Sequence, residues 1–182
     1  PGFLLHHVNY QESSLLIDVF TQVTGRVSLI AKGVRQQNSP YLGLLRPFLP
    51  LNIAYLGLKE LKVLSHVETQ SSEFLLPGIN TYCGFYLNEL IRHFMPIEEA
   101  YSDVFLYYLT CLQQLKSSSD NVEPALRTFE IKLMQAVGYG LPLGFDYVTE
   151  RSIQSDLLYT FDLEQGATVD RQGKIQGSTL IA

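Results

Sequence analysis

Cysteine is scarce in these 182 residues: Cys83 and Cys111 are the only two. They form no C-x-x-C pair, which excludes a disulfide framework and a cysteine zinc knuckle and makes the cytoplasm the expected compartment. No apolar run approaches the roughly 18 residues a membrane span needs, and no secretory apolar core opens the chain. Also missing are G-x-S-x-G, H-E-x-x-H, the Walker lysine loop and G-x-G-x-x-G. Without them no catalytic residue and no cofactor is nominated, and the balance favours a binding protein over an enzyme. Neither an internal repeat nor a low-complexity tract is present. Opening on Pro1 rather than methionine, the sequence is expected to begin inside or just after its natural N-terminus.

With 46% hydrophobic and 17% charged residues, the chain is globular, as one domain or two small ones. The net charge of −5 is unevenly spread. Residues 1–75 hold six lysines and arginines against five acids, a net of +1, while the remainder holds seven against thirteen, a net of −6. The N-terminal part is the one suited to polyanions.

The most informative stretch is Thr24 to Arg35. Thr24-Gly25 supplies a tight turn. Beyond it side chains alternate faces: Val27, Leu29 and Ala31 on a core side, and Arg26, Ser28, Ile30 and Lys32 on the other, with Arg35 following Gly33. Two cations on one face and a third at the exit suit a strand under a polyanion backbone. They equally suit any solvated strand face. Around this strand the chain offers four more: Phe3 to Val8, Ser13 to Phe20, one within Leu44 to Leu56, and Leu58 to Thr69. In the last, Leu61, Val63 and Val67 are expected inside and Glu60, Lys62 and His66 outside. His6 and His7 are neighbours on opposite strand faces, so they do not converge on a metal. Five short strands in about 70 residues predict a small closed or nearly closed barrel of the OB-fold type.

At Pro77-Gly78 the period changes. Ile79, Tyr82, Cys83, Tyr86, Leu87, Leu90, Ile91 and Phe94 recur at helical spacing, and Pro96 ends that helix. Glu98-Glu99 opens a second helix, apolar almost all round and central. Ser117 to Asn121 reads as a loop and cap. A third helix follows, with Pro124 in its first turn and Leu126, Phe129, Leu133 and Val137 as its stripe, ended at Gly138. Cys83 and Cys111 read as small buried residues. Further on, Leu157 to Leu163 and Ala167 to Val169 form a hairpin around Glu164-Gln165-Gly166, and Gly177-Ser178 starts a helix. The stop at Ala182, one turn later, predicts a missing or disordered C-terminal segment. The expected class is therefore α+β multidomain: an N-terminal OB-fold β-barrel (1–75), then an α-helical domain (76–182) with a small C-terminal β-hairpin insertion.

Gly25-Arg26-Val27, then Ala31-Lys32-Gly33-x-Arg35 and Pro47-Phe48, resemble the barrel of the RecO family of bacterial recombination mediators. Tyr86-Leu87-Asn88-Glu89-Leu90 is similar to the first helix of that family, and Leu126-Arg127-x-Phe129-Glu130 with Gly138-Tyr139 to the third. The order and spacing agree across nearly the whole chain. Many members carry a four-cysteine zinc site after the third helix. The corresponding region here, about 144–176, opens Gly144-Phe145-Asp146-Tyr147 and has no cysteine, so no zinc is expected. The resemblance implies a non-enzymatic factor of homologous-recombination repair in the RecF pathway, cytoplasmic and nucleoid-associated. Such factors bind single- and double-stranded DNA, anneal complementary strands, engage single-stranded DNA-binding protein (SSB) and, with RecR, help RecA load at gaps. Arg26, Lys32 and Arg35 are the first candidates for DNA contact, and Arg46, Lys59 and Lys62 the second. Tyr41 and Phe48 are candidates for base stacking, though burial of Phe48 is the stronger expectation. On the third helix Arg127, Ile131 and Met134 share a stripe about 120° from the core side. The matching family position makes Arg127 the candidate anchor for the SSB C-terminal tail, with Met134 and Val137 as pocket walls. The competing readings are that Arg127 pairs with Glu130 or Glu123, that Ile131 and Met134 pack on the barrel, and that the whole chain is a protein-interaction adaptor whose barrel binds no nucleic acid.

Overall fold

Strand alternation and turn glycines close the N-terminal residues into a barrel. A computed structural model describes residues 1–41, 43–58, 60–70, 72–117 and 121–181. The candidate Lys59 and the loop at 118–120 lie outside the described residues. The strands are β1 (Gly2–Tyr10), β2 (Ser14–Thr21), β3 (Gly25–Ala31), β4 (Leu51–Leu56) and β5 (Lys62–Thr69), in the closed order β1-β2-β3-β5-β4. β3 runs parallel to β5, and Gly2 opposite Leu51 shuts the circle. The expected alternation on β3 is present: Gly25, Val27, Leu29 and Ala31 are buried, and Arg26, Ser28 and Ile30 half-buried. Val19, Val27, Leu29, Leu51 and Val67 fill the barrel.

Phe3, Leu5 and Phe20 join a second core, under three helices. These are α1 (Asn80–Phe94), α2 (Ser102–Ser117) and α3 (Glu123–Ala136). α2 is central, as its composition predicts. Its Phe105 ring lies 5.9 Å from Phe3 and 5.3 Å from Phe20, and Tyr108 lies 5.3 Å from Phe3 and 6.4 Å from Phe129. α3 carries Pro124 in its first turn and is followed by Gly138 at φ 86°, the left-handed stop that glycine supplies most readily.

Three local expectations are corrected. Lys62 is buried, not solvent-facing, and the inward residues of β5 are Lys62, Leu64 and Val67. The reason is a bulge: Tyr55 pairs with Leu64 and Ala54 with His66, leaving Ser65 over, so the alternation slips by one. On α1, Ile79, Tyr82, Tyr86 and Phe94 are exposed, while Asn80, Gly84, Leu87, Asn88 and Ile91 form the buried face. Burying the two asparagines is tolerable because their amides are partnered. Asn80 Nδ2 donates to the Leu115 carbonyl at 2.7 Å, and Asn88 Nδ2 donates to the Leu5 carbonyl at 3.2 Å while its Oδ1 accepts from the Tyr108 hydroxyl at 2.7 Å. Leu5 sits at a register shift in β1, so Asn88 satisfies a carbonyl at an irregular point of the barrel. Finally, α2 starts at Ser102, which leaves Glu98-Glu99 in the connection before it.

Residues 1–137 form one compact unit and residues 138–182 another. The second holds β6 (Leu158–Asp162), β7 (Gly166–Val169), β8 (Ile175–Gln176) and the short α4 (Gly177–Leu180), in sheet order β7-β6-β8. The expected hairpin is β6–β7, with Asp162 opposite Gly166, and β8 extends it to three strands. Its apolar core is small: Ile153, Tyr159 and Ala167. A buried carboxylate organises the rest. Asp146 accepts from the Thr149 N–H and hydroxyl at 2.6 and 2.8 Å, and from the Val169 N–H at 2.5 Å. Burial pushes its pKa up, but the hydrogen bonds from Val169, Thr149 and Val148 outweigh burial and hold it below its ordinary value.

Candidate functional site

The five candidate DNA cations among the described residues do not share one face. Lys32, just past β3, is exposed and makes no ion pair among the described residues. Arg35 follows Gly33 and turns back to the β1–β2 connection. Its Nη2 donates to the carbonyls of Gln11 and Glu12 at 2.6 and 2.8 Å, and its Nε to that of Ser14 at 3.2 Å. The backbone there is tied too, with Arg35 N donating to the Ser13 carbonyl at 2.9 Å. Carbonyls orient a guanidinium without neutralising it, so Arg35 is held rigid with its charge intact. Lys32 and Arg35 thus put two uncancelled positive charges at one end of the barrel. Arg46 is exposed but paired with Glu73 at 3.0 Å. Lys62 is paired with Glu98, and the Arg26 Nε is buried with no partner among the described residues. Lys59 lies outside the described residues.

The outer face of β2 and β3 carries an acid where cations were expected. Asp18, opposite Ser28, accepts from the Ser28 hydroxyl at 2.7 Å and from Arg92 Nε of α1 at 3.2 Å. Sequence reasoning missed Arg92, since nothing local to α1 signals that it reaches a strand 74 residues away. Tyr41 is half-buried, its hydroxyl donating to the Ser65 carbonyl at 3.2 Å. Phe48 is buried against Phe85, ring centroids 5.2 Å apart, as the burial reading expects, and offers no open ring for stacking.

On α3 Arg127 is exposed. Its Nη1 lies 2.6 Å from Glu130 Oε2 and its Nη2 3.8 Å from Glu123 Oε1, the pairings expected as its alternative role. The hydrogen bond and charge of Glu130 raise the Arg127 pKa. Glu130 also accepts from the Tyr86 hydroxyl of α1 at 2.8 Å, and burial and then this bond raise the Tyr86 pKa. Ile131 is exposed, and Met134 and Val137 are half-buried. With Ile79, Tyr82 and Tyr86 exposed on α1, apolar surface stands open on both helices, beside a cation. Sequence periodicity grouped those residues with the buried ones of α1 as a single helical pattern and so missed this surface. Cys83 is half-buried. Cys111 is buried, its thiol pushed up to about 12 by burial first and then by Cys83 and Glu130.

Two family models divide the chain between them: recombination protein O N terminal over residues 1–72 and recombination protein O C terminal over 78–178. The chain belongs to the recombination protein O family. The first match spans the barrel, and the second spans the helices and most of the C-terminal unit. Relatives named DNA repair protein RecO include one from Nitrosospira multiformis, 36% identical over all of this chain and 77% of its own. Another, from an Enterobacter species, is 40% identical over 91% of this chain and 70% of its own. A third, from Actinobacillus pleuropneumoniae serotype 3, is 37% identical over 91% and 69%. The five-stranded barrel, helical region and C-terminal hairpin are the architecture expected from the sequence. Among the described residues no helix is long and apolar enough to cross a membrane, and no three His, Cys, Asp or Glu side chains gather as a metal site.

Proposed function

We propose that this protein is a DNA-binding mediator of recombinational repair. It binds single- and double-stranded DNA, anneals complementary strands coated with SSB, and with RecR promotes RecA loading at gaps. One observation carries the reading: the match to relatives named DNA repair protein RecO runs through barrel and helices alike. The positive end of the barrel, Lys32 with Arg35, is the first phosphate contact. The SSB tail, an acidic peptide ending in an apolar residue and a carboxylate, docks at Arg127, whose guanidinium takes the carboxylate while Met134 and Val137 receive the apolar end. The chain carries no zinc and has no catalytic role.

A specific observation favours the second reading, an adaptor whose barrel has lost DNA binding: Arg46 and Lys62 already hold carboxylates, and the Arg26 Nε is buried. An annealing assay on SSB-coated complementary strands, with anisotropy of labelled single-stranded DNA beside it, separates the two. Mediator activity predicts accelerated annealing and a salt-sensitive complex. Absence of both leaves the adaptor. Arg127→Glu should abolish calorimetric binding of an SSB tail peptide and leave naked-DNA binding intact; normal peptide binding by that variant moves the tail site elsewhere.

A further inference from the structure

Between α1 and α2 the segment Pro96-Ile97-Glu98-Glu99-Ala100 lies across the barrel at the start of β3. Ile97 bridges Arg26 in parallel register, and the Glu98 N–H donates to the Arg26 carbonyl at 2.8 Å. The turn into β3 is shaped around this strap: a Cβ on Gly25 would fall 1.8 Å from the Glu99 carbonyl oxygen, so only glycine admits it. Glu98 itself sits at φ 62°, the left-handed region that a side chain disfavours.

One barrel cation ends in this seam. The Lys62 side chain, 10% exposed, pairs with the Glu98 carboxylate, which is 38% exposed and open to competition. Arg26 holds the strap through its carbonyl, while its side chain leaves the strand on the face opposite to Lys62, with Nε buried and without a partner among the described residues. Their strands are neighbours, since β3 pairs with β5.

We propose that residues 96–100 are an internal mask over part of the barrel's nucleic-acid surface, with Glu98 standing on Lys62 where a backbone phosphate would stand. The inference rests on DNA binding by the barrel and says how that surface is regulated. Exchanging the carboxylate for a phosphate keeps Lys62 charge-compensated throughout, which simple loss of Glu98 does not. It also releases Glu98 from its left-handed backbone. Lys32 and Arg35 make first contact with the polyanion, and Lys62 joins once the strap yields.

The test is anisotropy of labelled oligo(dT) with wild type and Glu98→Gln, titrated between about 50 and 200 mM salt. DNA displaces the strap in both proteins and meets the same phosphates, so the two salt slopes agree, while the variant has no carboxylate to displace and binds about fivefold more tightly at each salt. A folded Glu98→Gln with the wild-type affinity at each salt overturns the mask and leaves DNA binding standing. If neither protein binds, DNA binding fails and the mask with it. Binding by the variant alone supports the mask. A measurement on the wild type alone covers a variant that does not fold: hydrogen exchange at the Glu98 amide. Oligo(dT) should accelerate that exchange, and unchanged or slower exchange overturns the proposal.

Discussion

The N-terminal unit and the C-terminal unit reach order by different routes. Residues 1–137 bury two extended apolar clusters, one inside the barrel and one between barrel and helices. The described residues of 138–182 bury only the small apolar cluster of Ile153, Tyr159 and Ala167 and lean on Asp146, whose carboxylate draws together Thr149 and Val169. Apolar burial scales with the area available, and a unit of this size has little. A buried carboxylate with its acceptor sites filled supplies direction where area is short, but it makes that unit sensitive to a single proton. The first unit has buried polar groups too. There they serve as seams: Asn88 joins an irregular point of β1 to α2 through Tyr108.

The largest effect on this contrast is expected from Phe105→Ala. That ring touches Phe3 and Phe20 across the barrel–helix core, and its loss should cost about 3–5 kcal/mol. Because the core is shared, barrel and helices should unfold together in urea, with one transition seen by near- and far-ultraviolet circular dichroism. Separate transitions would divide the first unit. Asn88→Ala comes next, at about 2–3 kcal/mol, since it leaves the Leu5 carbonyl and the Tyr108 hydroxyl unpartnered. Tyr108→Phe in the same background should add less than it does alone, and full additivity would deny the network.

Asp146→Asn has a smaller, local effect. Amide protection around Thr149 and Val169 should fall in hydrogen exchange while Leu29 and Leu112 keep theirs. The pH dependence follows from the lowered pKa of Asp146. Its contribution is fully present above the ordinary carboxylate pKa and is lost as pH falls through the lower folded value, so acid below about pH 4 should loosen residues 146–169 first. Protection there that is flat with pH would remove Asp146 as the organiser. The smallest effect is Lys32→Ala, which should leave the melting temperature unchanged and flatten the oligonucleotide salt slope by about 0.7. An unchanged slope would take the DNA path off that end of the barrel.

Local sequence pattern alone set the architecture. Alternation along β3, helical spacing after Pro77-Gly78 and the turn at Glu164-Gln165-Gly166 are short-range signals, and β3, α1 and the β6–β7 hairpin lie where those signals placed them. The exposure of Lys32 was legible for the same reason, because a cation just past a strand end has little to pack against. Tertiary structure decided the fate of the other charges. The Ser65 bulge turned Lys62 inward, Glu98 met it from 36 residues away, and Arg92 crossed from α1 to Asp18. On α1 the same limit applied to polar residues: Asn80 and Asn88 are buried because Leu115 and Leu5 offer them carbonyls, while Tyr82, with a better apolar claim, stays outside. Periodicity reports which face of an element is apolar, whereas partnering of charges and amides depends on which distant groups the fold brings within hydrogen-bond reach, and a one-dimensional pattern does not encode that distance.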